Sequence, residues 1–390
     1  MLMALAYMDI TPRRRLKILI NPAGGPGRAR KAFQTSVEPI LKAAKCSLDV
    51  TYTTHRHHAT EVCASLPLEY DAIIALSGDG LPHEIFNGLA QRPDATEALA
   101  IPVVPVPTGS ANGFFLNLLG VKDGFDLALA SLNIIKGRKM NIDLCSITQN
   151  DKRSFSFFTQ CVGLLAELDL GTEGWRWMGD TRFVVGFIRS AIANKPCPVK
   201  VSMRIVASDK KQMVADMKAL RKAPPTWTSV PSSRPLSDND PDTRFPPEPR
   251  STAFPPDRFD EHDEEDWWTF DKSLCCVYAG TMPYMGRDLL SHPCAQPSDG
   301  LMDVVIQETT SRGKLLSMLD GADKGRPFWL DQTHYFKVSA YRVSPLNPSD
   351  TGYVSIDGEA YPFAPFQVEA HPGIAATLSL YGRYISEFEA

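Results

Sequence analysis

Short apolar runs punctuate the first third of the chain, and each is followed by a stretch of helical periodicity. "LKILI" (16–20) ends at "NPAGGPGRARKAF", from which a helical pattern runs to about Ala44. "SLDVTYT" precedes "HATEVCASLP", "YDAIIAL" precedes "LPHEIFNGLAQ", and "IPVVPVPTG" precedes "SANGFFLNLL". Short β-branched strands alternating with helices predict an α/β parallel sheet with its ligand loops at the carboxyl ends of the strands.

After about Met140 the rhythm changes. "NIDLCSI", "SFSFFTQCVG", "VKVSMRIVA", "SLCCVYAG", "LMDVVIQE", "HYFKVSAYRVSP" and "YVSIDGE" read as strands with few helices between them, which predicts a mainly antiparallel β-sandwich. Two helical stretches interrupt it, "LLAELDLGTEGWRWMGDTRFVVGFIRSAI" and "SRGKLLSMLDGA". Ten of the 31 Pro fall between Pro224 and Pro256, and that stretch closes on "DEHDEEDWW". Such a composition cannot bury a core, so 222–266 is expected to be a disordered insertion inside the second domain. The expected organisation is a tail (1–15), a first domain (16–144) and a second (145–385), whose C-terminal segment is placed to pack back on the first.

With 390 residues the chain can bury a large core, and 43% hydrophobic with 22% charged residues is ordinary for a soluble enzyme. A net charge of -4 supplies no basic excess to neutralise phosphates, so no nucleic-acid partner is expected. The eight Cys contain no C-x-x-C pair, which suits buried thiols in a reducing compartment. "MLMALAYM" lacks a basic n-region, and no run approaches the roughly 18 apolar residues of a membrane span. These features lead us to expect a cytoplasmic protein.

Three loops at strand ends carry the candidate chemistry. In the first, Gly24, Gly25 and Gly27 let backbone N–H groups approach phosphate oxygens at a helix N-terminus, although neither the P-loop nor the Rossmann pattern is met. The second is "LSGDGLPHEIFNGL" (76–89), where Gly78 and Gly80 bare the backbone around Asp79. Asp79 there is a helix cap, part of a nucleotide cradle, or the residue that does chemistry. The third offers Thr108, Gly109, Ser110 and Asn112. Loops at one edge of a parallel sheet share a crevice, which predicts a phosphate-binding site.

"ILINPAGGPGRARKAF", "SGDGLPHEIFNGL", "PVPTGSANGF" and the late "SIDGEAYP" together resemble the diacylglycerol-kinase-like lipid kinases, and within them the sphingosine (sphingoid long-chain base) kinases. The likeness runs from about residue 16 to 385, with a gap at the Pro-rich insertion. It departs from the animal enzymes at Ala111, where Gly is usual, and in that insertion. The resemblance implies a first domain like those of 6-phosphofructokinase and NAD kinase, and transfer of the ATP γ-phosphoryl to a sphingoid primary hydroxyl with Asp79 as general base. It places Asn21, Thr53 or Thr54, Ser77, Ser110, Gly358 and Glu359 around the nucleotide, with Arg176 and Arg182 on its phosphates. Asp169 falls where the family contacts the amine and hydroxyl of the sphingoid head.

Asp357 is the candidate for positioning Mg²⁺ through water, the metal otherwise arriving on the ATP phosphates. Leu164, Leu165, Phe183, Val184 and Phe187 flank Asp169 and are candidates for the wall or gate of a lipid tunnel, with transient attachment to a membrane surface. A homodimer is left open. The rivals are a diacylglycerol, ceramide or acylglycerol kinase, an NAD kinase, and a non-catalytic lipid-binding regulator.

Overall fold

A computed structural model describes residues 7, 10–25, 27–172, 181–225, 253–259 and 266–388, excepting the side chains of 181–183. Strands β1 (Arg15–Ile20), β2 (Ser47–Tyr52), β3 (Ala72–Ser77) and β4 (Val103–Pro107) pair in parallel in the order β2-β1-β3-β4. Every residue of β3 and β4 is buried, which is why both read as unbroken apolar runs rather than alternating ones. The chain grows outward from β1 to β2, then crosses back over β1 to β3. The loops after β1 and β3 therefore part at a topological switch point and leave a crevice between them.

Helices follow these strands in the expected places. The first, α1, begins at Ala29–Ala32 and continues through a π-helical turn (Phe33–Val37) into Glu38–Ala43. Next come α2 (His58–Ala64), α3 (Gly80–Ala90), α4 (Ala95–Leu99), α5 (Gly113–Leu119) and α6 (Leu127–Lys136).

The second half is antiparallel. Its strands are β5 (Arg138–Gln149), β6 (Lys152–Ser156), β7 (Thr159–Gly163), β8 (Val199–Ala207), β9 (Trp268–Phe270) and β10 (Leu274–Gly280). The short pair β11 (Tyr284–Gly286) and β12 (Leu289–Leu290) precedes β13 (Met302–Glu308), β14 (Thr333–Pro345), β15 (Val354–Ile356), β16 (Glu359–Tyr361) and β17 (Phe366–Ser379). The main path runs β16-β15-β7-β10-β13-β14-β17-β5-β6, with β8 branching from β14 and β9 pairing with β8. Val201, Val277, Val304, Val338, Ile356 and Val368 come from six of these strands into one core, so the sheet closes on itself as a sandwich. Helices α7 (Leu164–Gly171), α8 (Thr181–Ala193), α9 (Lys210–Lys222) and α10 (Arg312–Ser317) cover a further core on its outside.

The two halves are tied together. Thr377 Oγ1 donates to the Val103 carbonyl at 2.8 Å, and the Ile385 N–H donates to the Asn117 carbonyl in α5 at 2.8 Å. Within the stretch expected to be disordered, residues 253–259 are instead fixed against the sandwich. Asp257 accepts from Ser146 Oγ at 2.5 Å and Thr148 Oγ1 at 2.9 Å and pairs with Arg153. Arg258 donates from its backbone (2.8 Å) and Nε (2.5 Å) to the buried Glu369. Phe254 packs on Phe155 with ring centroids 4.4 Å apart. Composition misled here because polar anchors, not apolar area, hold the strap.

Candidate active site

The three glycine loops meet backbone to backbone. Asn21 Oδ1 accepts the Ala23 N–H at 3.0 Å and closes the first turn, which Gly25 and Gly27 continue with φ of +54° and +69°. A Cβ on Gly25 would stand 2.7 Å from the Thr108 carbonyl, and one on Gly24 would stand 2.9 Å from Ser77 Oγ. A Cβ on Gly109 would come within 2.2 Å of Gly78 Cα. Only hydrogen fits at these contacts, so the glycines make the convergence possible.

Asn112 closes the third loop, accepting the Gly109 N–H at 2.9 Å and donating to the Gly109 carbonyl at 3.0 Å. Its amide is spent on loop shape, which corrects the expectation that it faces the nucleotide. Ser110 stays half-buried at the crevice. Thr53 is buried with its hydroxyl 3.4 Å from the Ile20 carbonyl, whereas Thr54 is exposed and its hydroxyl lies 2.9 Å from His55 Nδ1. The two threonine candidates thus face opposite ways.

Thr108 Oγ1 is buried without a hydrogen-bond partner among the described residues. An orphaned hydroxyl costs free energy unless something fills its place. Beside a bare glycine cradle, a phosphate oxygen is the acceptor that suits it, and the loops therefore fit a nucleotide triphosphate.

Asp79 opens α3 but does not cap it. Its two oxygens accept the Gly113 N–H at 2.8 Å and the Phe114 N–H at 2.9 Å, the first amides of α5. It therefore caps the helix behind the third loop. Burial pushes the Asp79 carboxyl up to about 6; the Phe114 and Gly113 amides pull it down, and the charges of Asp357 and Asp169 push it up again.

The other polar residues of α3 also reach outward. Glu84 accepts the His57 and Ala59 N–H groups, each at 3.0 Å, and so caps α2 from outside. Asn87 exchanges two bonds with Phe155 in β6, donating to its carbonyl at 2.8 Å and accepting its N–H at 3.0 Å. The Phe155 N–H fixes which end of the Asn87 amide is oxygen. The Asn87 NH₂ also donates to the His83 carbonyl at 3.0 Å, and because a carboxylate oxygen only accepts, His83 Nδ1 donates to Asp357 at 2.9 Å.

Asp357, on the β15–β16 turn with φ of +50°, also accepts from Ser156 Oγ at 2.7 Å and from the amides of Phe157, Phe158 and Thr159 at 2.8 to 3.1 Å. With five internal donors and 3% exposure, its carboxylate holds the turn. A role for it in positioning Mg²⁺ would have to act beside these bonds. Among the described residues no group of three or more His, Cys, Asp or Glu is arranged to hold a metal ion.

The turn presents its neighbours to the crevice. Glu359 pairs with Arg56 from the loop after β2, and one of its oxygens lies 3.9 Å from where a Cβ on Gly80 would be. A Cβ on Gly358 would lie 4.0 Å from Asp169 Oδ2. Asp169 sits half-buried on α7 and accepts from Ser355 Oγ at 2.5 Å. The chain's expected base and head-group carboxylates thereby lie close enough to this turn for the charges of Asp357 and Asp169 to act on Asp79. Sequence reasoning missed Arg56 and Ser355, and it placed His83 only at the site's rim and Asn87 as support within its own helix. The i,i+4 spacing of His83 and Asn87 was the one available signal.

Leu164 is buried, and Leu165 and Phe187 pack half-buried on the same core. Val184 is 40% exposed, so it faces out rather than lining an interior tunnel. Arg176 and the side chains of Arg182 and Phe183 lie outside the described residues.

Comparison with known proteins agrees with this geometry. Residues 15–147 match the diacylglycerol kinase catalytic domain, and 265–379 match the YegS C-terminal NAD kinase beta sandwich-like domain. The chain is 33% identical to sphingoid long chain base kinase 4 of Schizosaccharomyces pombe, over 97% of this chain and 78% of that protein. It is 26% identical to sphingosine kinase 1 of Homo sapiens, over 92% of this chain and 89% of the relative. A crystal structure of a diacylglycerol kinase from Bacillus anthracis superposes with a TM-score of 0.55 at 16% identity, covering 94% of this chain and 97% of the other, and shares the fold.

Proposed function

The chain belongs to the sphingoid long-chain base kinases, which are ATP-dependent lipid kinases, and from that membership we propose that it phosphorylates the primary hydroxyl of a sphingoid base to the 1-phosphate. The observation that carries this reading is the pair of carboxylates, Asp79 and Asp169, flanking one turn beside a converged glycine cradle. Phosphoryl transfer through a largely dissociative transition state needs positioning and charge neutralisation more than covalent help. Asp79 accepts the hydroxyl proton as the acceptor oxygen bonds to the γ-phosphorus and ADP leaves. A carboxylate held by two helix amides stays aimed while it does so.

Asn21, Ser77, Thr108 and Ser110 surround the phosphates with the amide of Gly25, and Arg176 and Arg182 are assigned to the same phosphates. Thr53 is the better placed of the two threonines, since it faces inward. Mg²⁺ is proposed to arrive on the nucleotide, where it neutralises phosphate charge. Asp169 pairs with the substrate amine, which separates a sphingoid base from an uncharged acylglycerol.

Val184, Val185, Ile188 and Ile192 on α8 are 39% to 54% exposed, and 184, 188 and 192 share one helical face. That stripe beside Asp169 is proposed to touch the bilayer while the substrate is withdrawn. Among the described residues no helix is long and apolar enough to cross a membrane. A radiolabelled-ATP assay over sphingosine, dihydrosphingosine, phytosphingosine, ceramide, diacylglycerol and NAD tests the reading. Preference for ceramide or diacylglycerol over all three bases would sink it.

A further inference from the structure

We infer that Ser355 is a positioning residue for head-group recognition, acting through Asp169. Ser355 sits in the middle of β15, paired with Cys161 in β7 and Ala360 in β16, so its backbone is fixed on both sides. Its neighbours Val354 and Ile356 enter the sandwich core. Strand alternation therefore sends the Ser355 side chain to the opposite face, where α7 lies. There its hydroxyl donates to Asp169 Oδ2 at 2.5 Å, and the residue is 2% exposed.

That length is typical of an O–H group bonded to an ionised carboxylate, the stronger class of hydrogen bond. A carboxylate in the last turn of a helix turns among rotamers, and only some of these present it to an amine. A short bond from a rigid strand selects one of them. Gly358, on the turn between β15 and β16, holds a φ of +87° beside the same oxygen, and a Cβ there would meet it at 4.0 Å, in van der Waals contact. The strand and turn thus shape the carboxylate's seat, while Asp357 anchors them to α3 through His83. The inference rests on the reading of Asp169 as the amine-binding carboxylate.

Steady-state kinetics of the full chain with dihydrosphingosine and ATP tests it. Ser355→Ala should raise the KM for dihydrosphingosine about tenfold. The KM for ATP and kcat should stay within about twofold, because the phosphate cradle is untouched. Ser355→Thr keeps a hydroxyl and should return the KM toward that of the unaltered protein, while Ser355→Cys, a weak donor, should fall between them. If Ser355→Ala does not fold, the cysteine variant carries the comparison. An unchanged KM for dihydrosphingosine in the Ser355 variants, with Asp169→Ala raising it, would overturn the role of Ser355 alone. Equal damage to kcat and to both KM values would also overturn it, because that pattern marks a structural defect. An unchanged KM in Asp169→Ala overturns both readings together.

Discussion

His83 and Asp357 stand 274 positions apart in the chain, yet His83 Nδ1 donates to Asp357 Oδ2 across 2.9 Å. The bond joins the helix that begins at Asp79 to the turn that carries Glu359. Removing Asp357 would strand a histidine, a serine hydroxyl and three amides in a dry site, so Asp357→Ala should cost about 3–5 kcal/mol. His83→Ala should cost less, about 1–3 kcal/mol. The double variant should show a coupling above about 0.5 kcal/mol in denaturant unfolding. Additive losses would mean that the two residues act separately.

As the proposed base, Asp79 would work only when ionised, and its carboxyl is pushed up to about 6. kcat/KM should therefore fall as pH drops through about 6. Stability moves the other way. In the unfolded chain this carboxyl ionises near 3.9, so between there and about 6 the folded protein binds the extra proton and stability declines as pH rises. Asp79→Asn should lower turnover by about 10²- to 10⁴-fold at pH 8 and leave lipid binding intact. Retained turnover in that variant rules out Asp79 as base.

Gly109→Ala places a methyl group 2.2 Å from Gly78 Cα, backbone that cannot swing aside. The second and third loops must part, and the cradle opens. The KM for ATP should rise at least about tenfold while the KM for the lipid changes little, since small displacements at a positioning site are costly. Isothermal titration with ADP gives an independent reading of the same loss.

The 253–259 strap should respond to pH through Asp257. Burial alone would raise this carboxyl, but bonds from His371 and Ser146, the Arg153 charge and the Thr148 bond outweigh it and hold it well below the usual carboxylate range. A depressed carboxylate contributes stability above its unfolded value near 3.9, and that contribution is lost as pH falls below it. Hydrogen exchange at residues 253–259 should therefore accelerate below about pH 4. Asp257→Asn should reproduce the acceleration at neutral pH.

Replacing Val184, Ile188 and Ile192 with Ser should weaken sedimentation of the protein with lipid vesicles. Turnover on substrate in detergent micelles should stay within about twofold, because none of the three side chains enters the phosphate cradle. Unaltered vesicle binding would remove this stripe as the membrane contact.

The parallel sheet and its three loops were legible because each depends on neighbours in sequence: an apolar run, a glycine, then a helical pattern. Asp79 was legible only as one of three alternatives. Its bond to the Gly113 amide was not legible at all, since no periodicity connects 79 to 113. Nor does any periodicity connect Glu84 to α2, which it caps. Asp357 read as a ligand because an acidic residue beside glycine on a late turn suggests one, and only the packed structure shows its donors already in place. The strap was invisible because its anchors, Ser146, Arg153 and Glu369, lie more than a hundred positions away.

The two carboxylates are rooted differently, and that has an evolutionary consequence. Asp79 is fused to the helix behind the third loop, so, if it is the proposed base, phosphoryl chemistry and nucleotide grip would change together. Asp169 stands on a separate helix, moored by a hydroxyl on a neighbouring strand. On the proposed roles, one substitution near that mooring would redirect which lipid is accepted without disturbing the phosphoryl machinery. A scaffold divided in this way can try new acceptors one residue at a time.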